Sequence, residues 1–265
     1  MDTAVQSLPS ATAGFRPAAS SVFLPKEHGS WSLALEPVLF GLLVAPSLAG
    51  GALAVSAAAA FFLRRPAKAV WRAPHRAAWL AVVILGICAV VGVGKAILLA
   101  GWSPLVFLLP ALPLAALFLH WDRQNESRAT HAELAACGIF ALLPAVMAAQ
   151  AGRPVAVAVT LSAIMLARSL PTVLIIRTYL RRRKGSPAGP TPAGLTTFVT
   201  VGMILALALT GHAPWTAVVL VLIAALRLGL LVPAWQPDWP AKRIGIAEAI
   251  FGLGYVLLIA AAFQW

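Results

Sequence analysis

Arg168 stands in the middle of a long apolar run, three residues before Pro171. Glu36, Lys95, Arg227 and Glu248 are likewise ionisable residues inside apolar stretches. In a stretch that crosses a bilayer a charged side chain is costly. It usually faces a bundle interior, where it marks a substrate or ion path. A guanidinium in that position can fork onto a phosphate or carboxylate, so recognition of an anion is the chemistry implied. Plainer accounts exist for three of the five. Lys95 and Arg227 lie near span ends, within snorkelling reach of water, and Glu248 is close enough to an end to cap its helix or pair with a basic loop residue. Arg168 has no such exit and is expected to face a cavity.

A second dense stretch is "FLPKEHGSWSLALEP", Phe23 to Pro37. Glu27 and His28 have the types of an acid–base pair, and with Glu36 they form the candidate catalytic set. Lys26 belongs to the candidate anion-binding set, although Lys26 and Trp31 also read as interfacial anchors. Arg64 and Arg65 follow one apolar run, and Arg177 and Arg181 close another. Four residues apart, Arg177 and Arg181 share a helix face. The candidate substrate-binding residues are therefore Lys26, Arg64, Arg65, Lys95, Arg168, Arg177 and Arg181. Phosphate-loop, zinc-protease, serine-hydrolase and haem-attachment signatures are missing. No cofactor and no metal site is expected, and Cys88 and Cys137 read as core packers without metal spacing.

What must position these residues is a membrane. Hydrophobic residues make up 61% of the 265-residue chain and charged residues 11%, with a mean hydropathy of +0.90. A soluble domain carries about 25% charged residues, so the expected class is all-α, a polytopic transmembrane helical bundle. At roughly 20 apolar residues per crossing, about nine spans fit. They are Trp31–Ser47, Leu48–Leu63, Ala77–Ala100, Trp102–His120, Ala132–Ala151, Val155–Leu180, Leu195–Gly211, Pro214–Val232 and Ile244–Phe263. Residues 1–22, rich in Ser, Ala and Thr, read as a disordered cytoplasmic tail, and 23–265 as one membrane domain. The tail and the connections after spans two, four, six and eight hold most of the 20 Lys and Arg. By the positive-inside rule they face the cytoplasm, leaving Trp265 outside. The net charge of +12 then follows from topology and anionic headgroups, not from nucleic acid. Pro37, Pro171 and the pair Pro110 and Pro113 predict kinked or broken helices around a polar cavity.

"PKEHGSW", "RRPAK" and "ARSLP…RTYLRRRKG" together resemble the YwiC-like family of bacterial membrane proteins, from about Phe23 to Trp265. The family resemblance implies the cytoplasmic (inner) membrane of a bacterium. The span count, orientation and two Leu-Arg-Arg helix ends are also similar to the UbiA-type prenyltransferase superfamily. In that superfamily, aspartate-rich motifs after spans two and six hold a prenyl diphosphate through magnesium. That likeness implies a UbiA-like helix arrangement and an isoprenoid or lipid substrate. Arg177 and Arg181 stand where its aspartates would be, so guanidinium forks would have to hold a diphosphate directly. Two kinds of function are thus expected around a cytoplasm-facing cationic cavity. One is a UbiA-like intramembrane enzyme without the magnesium site. The other is a non-enzymatic carrier or binding protein for an anionic lipid or small anion, or a membrane scaffold. The partners expected are membrane lipids and an isoprenoid or anionic lipid ligand, with no nucleic acid.

Overall fold

The computed structural model describes residues 28–72, 75–124, 126, 129–186, 188–232 and 238–264. Among them every regular element is helical. In chain order these are α1 (His28–Val44), α2 (Leu48–Arg72), α3 (Arg76–Ala100), a 3₁₀ segment (Ser103–Leu108), α4 (Ala111–Arg123), α5 (Thr130–Ala141), α6 (Leu143–Gln150), α7 (Val155–Arg183), α8 (Thr191–Leu209), α9 (Trp215–Leu231) and α10 (Ala241–Ala262). Among the described residues six helical stretches are long and apolar enough to cross a membrane, taking α5 and α6 together, and α1 and α9 are shorter apolar helices. The protein is an all-α membrane helical bundle. The segments lie along the expected spans, whose ends tight turns mark, but α1, α9 and the fourth segment fall short of the crossing length that the expected nine spans would need. Gly101 and Gly211, with φ of 73° and 74°, supply the left-handed residue that ends α3 and the α8 turn.

Three further expectations are modified. Pro37 and Pro171 lie inside unbroken helices, because each removes only one backbone donor while the ladder on both sides continues. The fourth segment, by contrast, is interrupted as expected, with Pro104 opening the 3₁₀ turn and Pro110 preceding α4. The fifth is divided at Leu142, just before Pro144. Finally, α2 does not stop at Leu63: the basic stretch through Pro66 stays helical to Arg72. Arg64 and Lys68 there grip Asp122 at the end of α4, at 2.7 and 3.0 Å.

α7 is the central helix, with 72% of its apolar stretch buried, whereas α3 has 11% buried and packs on α2. Val83, Ile87 and Val90 of α3 face outward, as lipid contact requires. Small residues allow the α2–α3 approach: a Cβ on Gly92 would lie 2.7 Å from the Ala52 carbonyl oxygen. Ser56 Oγ donates to the Ala89 carbonyl across the same seam, at 2.8 Å. Close packing of small residues with an interhelical hydrogen bond is how helices associate where lipid removes the hydrophobic drive. The main core joins Phe40 of α1, Leu161 and Ile164 of α7, Ile204 of α8, Val221 of α9 and Tyr255 of α10.

Candidate functional site

Arg168 occupies the midpoint of α7 and is fully buried. Its guanidinium lies among α1, α9 and α10. Nη1 donates to Thr172 Oγ1 at 2.5 Å and stands 3.3 Å from Glu248 Oε2. Nη2 donates to the Glu248 carbonyl at 3.0 Å and lies 3.5 Å from Glu36 Oε1. Arg227 of α9 binds the same Glu248 carboxylate through Nη1 and donates through Nη2 to Thr172 Oγ1 at 3.0 Å. Both guanidinium carbons face the Phe251 ring, at 5.2 and 4.6 Å from its centroid, within cation–π range. Two arginines and two glutamates from four helices thus form one membrane-embedded network with no formal net charge.

The two acids are not equivalent. Glu248 is held by both arginines, whereas Glu36 touches only the edge of Arg168. Ser32, one turn earlier, makes a polar contact with the Glu36 carboxyl, yet neither oxygen reaches a hydrogen bond of full geometry. Glu36 is only 6% exposed. It lines a crevice of about 230 Å³ between α1 and α10, together with Trp31, Leu35, Leu39 and Leu253. Gly252 makes this approach possible, since a Cβ there would meet Glu36 Oε1 at 1.8 Å.

The other sequence candidates are distributed differently. Lys26 and Glu27 lie outside the described residues, as does the tail before them. His28 begins α1, about 12 Å of helix axis from Glu36 at 1.5 Å per residue. Lys95 is exposed on α3. Arg64 stacks over Phe118 besides pairing with Asp122, and Arg65 is half-buried beside it. Arg177 donates from Nε to Glu133 at 2.7 Å and from Nη1 to Thr130 at 3.3 Å, tying α7 to the first turn of α5. Arg181 is exposed, and Arg182 donates to the carbonyls of Ala188 and Val232. The basic helix ends therefore clasp neighbouring segments. Glu36 and Arg168 come together, and Arg227 turns inward to Glu248 and does not snorkel. Thr172, Phe251 and Gly252 were not singled out in the sequence. The signal was present as helical spacing: Arg168 and Thr172 are four apart, as are Glu248 and Gly252, so each pair shares a face.

The Asp122 clasp has a pH signature. Burial alone would raise its carboxyl, but hydrogen bonds and charge from Arg64 and Lys68 outweigh that and hold it below its ordinary value. A lowered folded value means the clasp stabilises fully above the ordinary carboxylate range and is lost as pH falls through the lowered one. Wild type is expected to melt above Asp122→Asn at neutral pH, with the gap closing as the pH falls below the ordinary carboxylate range. Melting curves of the two proteins across that range check this.

The geometry can be set beside known proteins. Residues 24–149 match the YwiC-like protein family. The YwiC-like segment spans α1 to α6, just under half of the chain, and contributes Glu36 to the network. Arg168, Arg227 and Glu248 follow it in sequence, so the centre forms where the YwiC-like helices meet α7, α9 and α10. No curated protein and no solved structure matches the chain.

Proposed function

We propose that the chain is a multi-pass protein of the bacterial cytoplasmic membrane that takes up an isoprenoid or other membrane-borne lipid at the network around Arg168. In this reading the N-terminus and the basic helix ends face the cytoplasm. One observation carries it: the more loosely held acid of a four-charge network, Glu36, lines a crevice with largely apolar walls. Charged pairs withdrawn from water lose several kcal/mol per ion to desolvation, and apolar packing of similar volume often holds a fold as well. Their presence at membrane depth is the usual mark of a substrate path. The loose Glu36–Arg168 pairing, 3.5 Å with no full hydrogen bond, favours a binding protein or carrier in which a ligand head competes for one partner.

The enzymatic form of the reading assigns Glu36 to proton exchange with the ligand and the arginines to its polar end. Its link to UbiA-type prenyl transfer rests on similar span count and basic helix ends. The test is native mass spectrometry of the delipidated protein. Wild type should retain one amphiphile class well beyond its share in the bulk lipid, and Glu36→Gln should retain much less. A wild type that retains nothing after delipidation would overturn the reading.

A further inference from the structure

The crevice beside Glu36 has a chemistry of its own, and the following inference rests on the lipid-binding reading above. Its walls are Leu35 and Leu39 of α1 with Ala249 and Leu253 of α10. Leu253 is 48% exposed on the outer surface of the bundle, so the opening faces lipid laterally. About 230 Å³ equals the share of roughly seven or eight water molecules, which suits a small head and the first few carbons of a chain. Three polar atoms of the lining residues, the two Glu36 oxygens and Trp31 Nε1, make no hydrogen bond of full geometry, although Glu36 keeps its ion pair with Arg168 and its contact with Ser32. The Glu36 carboxyl is an acceptor that is more than nine-tenths buried, and Trp31 Nε1 is a buried donor. A hydroxyl both donates and accepts, and so matches this pair.

Charge decides among the alternatives. Arg168 and Arg227 are already offset by Glu36 and Glu248. An anion entering from the lipid would meet the Glu36 carboxylate before reaching Arg168, and an ammonium would leave one positive charge unmatched. In a low-dielectric site either imbalance is costly. We infer that the α1–α10 crevice is a lateral binding site for an uncharged, hydroxyl-headed amphiphile whose hydroxyl donates to Glu36 and whose chain lies along Leu35 and Leu253.

The experiment photolabels the full-length protein in phosphatidylcholine nanodiscs. It compares a dodecanol carrying a mid-chain diazirine with its phosphate monoester and its ammonium analogue. The alcohol should label peptides around Leu35–Leu39 and Ala249–Leu253 at least about fivefold more than either charged probe, the factor one hydrogen bond supplies. Plain dodecanol should compete. Leu253→Trp, which fills the crevice from its exposed wall without touching a charge, should lose that labelling while its melting point and gel-filtration profile stay unchanged. Equal labelling by all three probes, or labelling that survives Leu253→Trp, would overturn the site. Preferential labelling by the phosphate that Leu253→Trp abolishes would overturn the hydroxyl class and leave the lipid-binding reading standing. Absence of crevice labelling while wild type still retains a lipid would remove this site alone.

Discussion

Arg168→Met should lower the stability of the folded bundle by about 3–5 kcal/mol, the cost of leaving buried partners without their counter-ion. The arginine is fully buried and joins two acids, a hydroxyl and a backbone carbonyl. Methionine fills much of the same volume but leaves Glu36 and Glu248 facing Arg227 alone. Lysine at 168 should recover little, because a single ammonium cannot fork between acids on α1 and α10. The double variant Arg168→Met/Glu36→Gln returns the network to formal neutrality and should regain part of the loss, a coupling expected only of residues in contact. Unfolding titrations of wild type, both single variants and the double variant measure this. Additive losses would show that the two side chains do not act as a pair.

Gly252→Ala is the second large effect. The new methyl would stand 1.8 Å from Glu36 Oε1 and 2.3 Å from its carboxyl carbon. A carboxylate at the end of a flexible side chain can normally swing aside at little cost. Here it is enclosed by α1, α7 and α10, and swinging aside takes it away from Arg168. Overpacking of this kind costs about 1–3 kcal/mol. Added to it is the weakened ion pair, so the total should approach that of Arg168→Met. Gly254→Ala is the control, two residues along the same helix with open space around it. It should melt like wild type. Loss at both positions would point to glycine's backbone role, not to the Glu36 contact.

How much of this was legible in the sequence depends on distance along the chain. Span positions were readable because apolar runs and turn residues such as Gly101 and Gly211 act locally. The exception at α2 is instructive: "RRPAK" reads as a stop, but Arg64 and Lys68 find Asp122 in α4 and the helix continues. The ionisable residues at membrane depth were also readable, since lipid makes any such residue conspicuous. Their pairing was not. Glu36, Arg168, Arg227 and Glu248 lie on four helices, and only the packing order of α1, α7, α9 and α10 decides that Arg227 meets Glu248 and does not reach water. The same limit applies to Arg177. Its spacing from Arg181 suggested one anion-binding face, but Glu133 arrives from α5 to occupy it.

The central claim is that Glu36, buried at the wall of the α1–α10 crevice, is the polar point that a membrane-borne ligand engages. Cryo-electron microscopy of the protein in native-lipid nanodiscs tests it most directly. The account predicts elongated non-protein density ending at the Glu36 carboxyl and running past Leu35 and Leu253 into the lipid. A closed α1–α10 seam, with Glu36 fully hydrogen-bonded to protein and no density beside it, would contradict it.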